Sequence, residues 1–280
     1  MENKLRMKRH ESFSIREGWL TKGCIELGKD EKVFSSPDAV NILGIGSNMV
    51  KGLKYWMIAT GLAEETKGLQ ISDFGKLINK FDPYLEDVFS WWLIHINLIL
   101  NKNDAYLYNI FFNKMSAKTF SKKDIFEKIS EQLSMERIEF NEKILLDEVN
   151  MIIKTYTIDE KIDNPENNFI CPLTDLKLIK KVGKEIYEKN SPMYRNLNYL
   201  VIFYLLQRVM QERTYISIDE FIKCENSPIK LLNLDKNILN EYLDEIKRAG
   251  LIEINRTAGL NMIYINKNMS LEEIMIEYYG

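Results

Sequence analysis

Between Ser36 and Ser72 the chain is punctuated so closely that one order of elements fits it. Ser36-Pro37 is a helix start, with Ser36 as N-cap and Pro37 at the first helical position. That helix holds Ala39, Val40, Ile42 and Leu43 and stops at Gly44. Ser47 caps the next helix, which runs to about Thr60 and ends at Gly61. Leu62 to Glu65, Thr66-Lys67-Gly68 and Leu69 to Ile71 read as strand, turn and strand, and Ser72 caps a further short helix, SDFGKLIN. Upstream, Ile15, Trp19, Leu20 and Ile25 recur at helical intervals. Helix, helix, glycine turn, helix and a two-stranded ribbon is the order of a winged helix-turn-helix, whose third helix enters a DNA major groove. In the predicted third helix, Val50, Leu53, Met57 and Ile58 face the preceding helices. Asn48, Lys51 and Tyr55, with Lys54 adjacent, face outward.

From Asp82 to about Thr157 the spacing predicts helices, with breaks near Asn101–Asp104 and Ser116–Thr119 and Ser121 as a cap. The polar stretch DEKIDNPENN, 159–168, reads as a linker. After Asn190-Ser191-Pro192 comes an apolar helix, LNYLVIFYLLQRVM, and then the opening order returns. DEFIKC is a short helix, DKNILNEYLDEIKRAG a longer one ending at Gly250, and LIEINRTAGLNMIYI a strand, turn and strand. The expectation is therefore a mostly α protein. It has an N-terminal winged helix-turn-helix over 1–80, a helical region over 81–190, and a C-terminal winged-helix-like region over 191–280 with short β-ribbons.

The two units differ in charge. Between Ala39 and Ala63 the only charged residues are two lysines, Lys51 and Lys54. Between Lys230 and Arg256 five basic residues meet five acidic ones. A duplex repels carboxylates as strongly as it attracts lysines, so the first unit is the better DNA reader.

Composition narrows the rest. Three cysteines with no CxxC pair exclude a zinc ribbon or a redox dithiol. Their odd number, with no secretory leader read at the start, points to a reducing cytoplasm. The longest apolar run, Val88 to Leu100, contains His95 and Asn97 and is too short to span a membrane. There is no Walker A, GxGxxG or HExxH motif, which argues against a nucleotide-driven enzyme or a zinc hydrolase.

Three further places could carry chemistry, and two others read as core. KRHESFSIR puts Lys8, Arg9, His10 and Arg16 near the first helix, as a phosphate clamp or as a plain basic segment. Lys67 sits in the turn of the ribbon. DPYLED offers Asp82, Glu86 and Asp87, with Asp82 and Glu86 on one helical face. That set could hold Mg²⁺ or Mn²⁺ for nicking, or simply cap the next helix. His95, Trp91, Trp92 and Cys171 read as core.

The segments MKRHESFSIREGWLTKG, DAVNILGIGSNMVKGLKYWMIATGL, DPYLEDVFSWWLIH and FICPLTDLKLI resemble a bacterial family known as domain-of-unknown-function family 4007. Its members are similar to the SspB-like proteins of DNA phosphorothioation, in which sulfur replaces a non-bridging phosphate oxygen. The resemblance implies a DNA-binding role in such a defence system. It also implies sulfur-transfer partners related to phosphoadenosine-phosphosulfate reductases, and an association with DNA nicking, for which Asp82, Glu86 and Asp87 are the candidate catalytic set. Two readings of another class stay open: a winged-helix transcriptional regulator without catalysis, and an adaptor that holds protein partners.

Overall fold

A computed structural model describes residues 7–158, 170–257 and 260–280. The chain divides into two compact units, Met1–Asn190 and Ser191–Gly280. The expected linker, 159–168, lies outside the described residues. The fold is mostly helical with small antiparallel sheets.

The first unit begins with α1 (Trp19–Lys29), α2 (Ala39–Leu43) and α3 (Ser47–Ala59). α3 buries Val50, Leu53, Trp56 and Met57 against α1 and α2. Full burial of such side chains stabilises by about 1.5–3 kcal/mol each. α1 and α3 approach so closely that a Cβ on Gly23 would stand 2.6 Å from the Met57 sulfur. Gly61, with φ +77°, then releases the chain from α3 into β1 (Ala63–Glu65), which pairs antiparallel with β2 (Leu69–Ile71). Ser72 caps α4 (Asp73–Phe81) by accepting from the Gly75 amide.

Two expected starts shift. Ser36 accepts from the Asp38 amide in a turn, and α2 begins only at Ala39. Ser47 is the first residue of α3 rather than its cap, and Gly46 occupies the N-cap.

α5 (Val88–Leu100) is apolar on nearly every side because it is the central helix of this unit, with Trp92, Leu93, Ile94 and Ile96 fully buried. α6 (Tyr106–Lys114) packs against it, α7 (Lys122–Met135) packs against α6, and α8 (Glu142–Tyr156) packs against α7. His95 is a core residue whose Nδ1 meets the Tyr156 hydroxyl at 2.8 Å. Ser121 caps α7 in a reciprocal capping box with Asp124.

The helical reading of this region missed a sheet of order β3-β5-β4, formed by Thr119–Ser121, Ile186–Lys189 and Ile179–Gly183. Each of these strands buries only one residue, Phe120, Tyr187 and Ile179, so no apolar alternation is written into the sequence.

In the second unit α9 (Tyr199–Met210) packs on α12 (Lys236–Arg248) and on α13 (Leu271–Tyr279). α10 (Ile218–Lys223) and α11 (Pro228–Leu231) precede α12, and β7 (Ile252–Thr257) and β8 (Leu260–Ile265) follow it. α12 buries Leu239, Tyr242, Leu243 and Ile246 at helical spacing. The ribbon is a three-stranded sheet, because β6 (Tyr215–Ser217) adds to the free edge of β8.

Candidate nucleic-acid interface

α3 presents its N-terminal end to solvent. Among the described residues no side chain caps it, and Ser47 and Asn48 are exposed. The first-turn amides and the positive end of the helix dipole are thus available to an anion. Lys51, one turn on, is exposed, with its Nζ 3.5 Å from Asn48 Oδ1. Lys67 is exposed on the turn between β1 and β2.

The ribbon also brings in carboxylates that the acid-free stretch 39–63 lacks. Glu64 is exposed, and Glu65 pairs with Lys54 at 2.7 Å. Lys54 is therefore already neutralised.

Tyr55 faces inward, contrary to the outward placement its spacing from Lys51 suggested. It is 5% exposed, and its hydroxyl donates to the Asp104 carbonyl at 3.1 Å. Burial, helped by the Glu148 and Asp104 charges, raises its pKa. The physical reason is long-range: the 101–105 loop and the N-terminal segment cover this side of α3.

That N-terminal segment is not a free phosphate clamp. Lys8 pairs with Asp147 at 3.0 Å, and Arg9 pairs with Asp104 and reaches Glu65 at 4.0 Å. His10 is 1% exposed, with Nε2 standing 3.3 Å from Glu148 Oε1 without hydrogen-bond alignment. Its Nδ1 accepts from the Ser12 amide at 3.1 Å. The Lys8 amide donates to Glu148 at 2.5 Å. Arg16 lies over the rings of Phe13 and Trp19, 5.4 and 5.3 Å from their centroids, and burial lowers its pKa. Lys8, Glu11 and Ser12 hold left-handed φ angles of 63°, 50° and 65°. For non-glycine residues such backbone costs about 1–2 kcal/mol each.

Sequence reasoning missed the carboxylates that hold this segment. One signal existed: Glu148 stands in the buried register of α8 with Leu145, Val149 and Ile152, where a charge demands a partner.

DPYLED is a turn rather than a helical turn, because the helix starts only at Val88 and Leu85 is left-handed with φ 54°. Asp82 and Glu86 therefore do not share a helical face. The Asp82 oxygens accept from the amides of Glu86 at 3.0 Å and Asp87 at 3.1 Å, and Asp87 caps α5 by accepting from Phe89 at 2.8 Å. Glu86 is exposed. Asp82 and Asp87 thus act as caps of the turn and of α5, as the capping alternative expects. Among the described residues no group of three or more His, Cys, Asp and Glu side chains is placed to hold a metal ion. Cys171 is buried, which pushes its thiol up to about 12 and leaves it unreactive. Among the described residues no helix is long and apolar enough to cross a membrane.

A family profile described as a protein of unknown function (DUF4007) matches residues 7–279. Two solved structures are similar to the chain, one described as a magnesium ion-bound SspB crystal structure and the other as an SspB crystal structure. Their TM-scores are 0.87 and 0.85, each at 22% identity, and each match covers 98% of this chain and 87% of the other. No curated protein matches the chain.

Proposed function

The chain belongs to the DUF4007 family, and from that premise we propose that it is the DNA-binding component of a bacterial phosphorothioation-type defence system. The observation that carries this reading is the open N-terminal end of α3, with Ser47, Asn48 and Lys51 exposed and no acidic residue between Ala39 and Ala63. In this reading α2 and α3 form a helix-turn-helix, α3 lies in the major groove, and β1 and β2 form the wing that brings Lys67 to the flanking backbone. Ser47, Asn48 and Lys51 make the primary contacts, with the α3 dipole directed at a phosphate. Residues 1–80 read DNA, and 81–190 support them.

Residues 191–280, a winged-helix-like region, serve protein partners. Sulfur-transfer proteins related to phosphoadenosine-phosphosulfate reductases are the expected class. Its charges are largely answered within the unit, as in Lys247–Glu253 at 3.1 Å and Arg256–Asp244 at 3.2 Å. Work on bacterial DNA sets all of this in the cytoplasm.

Metal-dependent nicking is the second reading. It is favoured by the similar SspB structure described as magnesium ion-bound. In this chain the caps formed by Asp82 and Asp87 weigh against a metal at DPYLED. Two assays on the full chain test these readings: salt-dependent duplex binding, and incubation of supercoiled plasmid with and without Mg²⁺ or Mn²⁺, scored for open circles. Salt-sensitive binding is the result expected of a DNA component. Its absence turns the account toward an adaptor, and a symmetric dimer on a palindromic site turns it toward a regulator. Open circles that appear only with metal support the nicking reading.

A further inference from the structure

We propose that residues 8–13 are a sprung strap, held shut over α3 by Glu148 and Asp104, whose opening hands Lys8 and Arg9 to a phosphodiester backbone. This rests on the interface reading above and extends it to how that interface is regulated.

The strap is strained. Lys8, Glu11 and Ser12 sit at positive φ within five positions, where none is a glycine. A segment in that conformation stays there only if its surroundings over-determine it. The fasteners come from distant parts of the chain. Glu148, buried on α8, takes the Lys8 amide at 2.5 Å and stands 3.3 Å from His10 Nε2. Asp147 takes the Lys8 ammonium at 3.0 Å, and Asp104 takes the Arg9 guanidinium.

Beneath the strap lies the helix that carries Asn48 and Lys51. The His10 carbonyl would stand 3.0 Å from a Cβ placed on Gly52, and the Trp56 indole donates to the Phe13 carbonyl at 2.8 Å. The Arg9 guanidinium lies 5.9 Å from the Tyr55 ring centroid. Opening the strap therefore also uncovers one side of α3.

A cavity of about 10 Å³ borders the clamp, lined by Lys8, Arg9, Tyr55, Asp104, Tyr108 and Glu148 among others. It has room for about one water and none for a phosphate. The cavity thus holds no phosphate while the strap is shut, and the part-exposed Arg9 guanidinium is occupied by Asp104. While the strap is shut, Lys8 and Arg9 are answered by carboxylates and add nothing to an anion site. Once it is open, each cation can neutralise a phosphate and release its counterion.

Hydrogen exchange and salt titration of a short duplex, on the full chain and its Glu148→Gln variant, test the proposal. The variant keeps the size of the side chain and removes the charge. Its amides in 8–13 are expected to exchange at least about tenfold faster with α5 amides unchanged. Its log–log salt slope is expected to steepen by about 2, one unit for each freed cation. Unchanged strap exchange overturns the proposal. So does faster exchange with an unmoved or shallower slope. If the α5 amides also lose protection, Asp104→Asn is judged by the same two criteria. A parent chain that binds no duplex sinks the interface reading, and the strap then stands or falls on exchange alone.

Discussion

Two stretches of the molecule carry the same succession, a helix followed by two antiparallel strands, and they handle charge in opposite ways. In the second unit α12 ends in Lys247 and Arg248, and the strands that follow it bring Glu253 to Lys247, while Asp244 of α12 takes Arg256 of β7. In the first unit the outer end of α3 offers Asn48 and Lys51 with no acid on the helix, and only Lys54, further along, meets a carboxylate. Succession fixes how such an element packs. The final positions of the carboxylates decide whether it can face a phosphodiester. A lysine that already holds a carboxylate exchanges one anion for another and gains little.

Charge reversal gives the largest expected effect on this comparison. Lys51→Glu with Lys67→Glu is expected to weaken duplex binding at 0.15 M salt by at least about 100-fold, since two contacts become two repulsions. Lys236→Glu with Lys247→Glu is expected to change it by less than about 3-fold, read by fluorescence anisotropy. The reverse ranking would break the comparison.

Removing caps comes next. Asp87→Ala removes the side chain that accepts from Phe89 at the start of α5, and Asp235→Ala the one that accepts from Asn237 and Ile238 at the start of α12. Each is expected to cost about 1 kcal/mol, measured by denaturant unfolding, with the salt slope of DNA binding unmoved. A lost slope in Asp87→Ala with stability intact would return DPYLED to the interface.

Lys54→Ala is expected to change affinity less than about 2-fold, because Glu65 already holds that ammonium. A slope shallower by about 1 would show that the pair opens for DNA.

The smallest effect separates the units by chemistry. Cys24 and Cys171, both in the first unit, are buried, and burial holds each thiol at about 12. Cys224, in the second, is half-buried. Below pH 9 the native chain should alkylate first at Cys224, with Cys24 and Cys171 reacting only as the first unit opens. Equal labelling rates would show that the first unit breathes as freely as the second.

These expectations also mark what the sequence could and could not say. The span of α3, the two strands after it, and the caps at Ser72 and Ser121 were legible because each is set by residues within a few positions: a glycine at positive φ, or a hydroxyl reaching the amide three residues on. α13 carries the same local signal, with Ser270 and Glu273 in a capping box, and was there to be read. The strands around Phe120, Ile179 and Tyr187 were not legible, because one buried residue per strand leaves no period. Nor was the fate of the basic N-terminal segment, because Arg9 and Lys8 find their partners 95 and 139 residues away. Tyr55 shows the same limit: helical spacing says which residues share a face, and distant chain decides whether that face is covered. The resemblance to the DUF4007 family was carried by longer motifs and agrees with the match over residues 7–279.

Hydrogen exchange of the full chain, with and without saturating duplex at low salt, shows which of the two stretches meets DNA. Added protection is expected at residues 44–52 and 64–69, and none across 236–256 beyond experimental scatter. Protection centred on α12 and the strands after it, with 44–52 unchanged, would contradict that expectation.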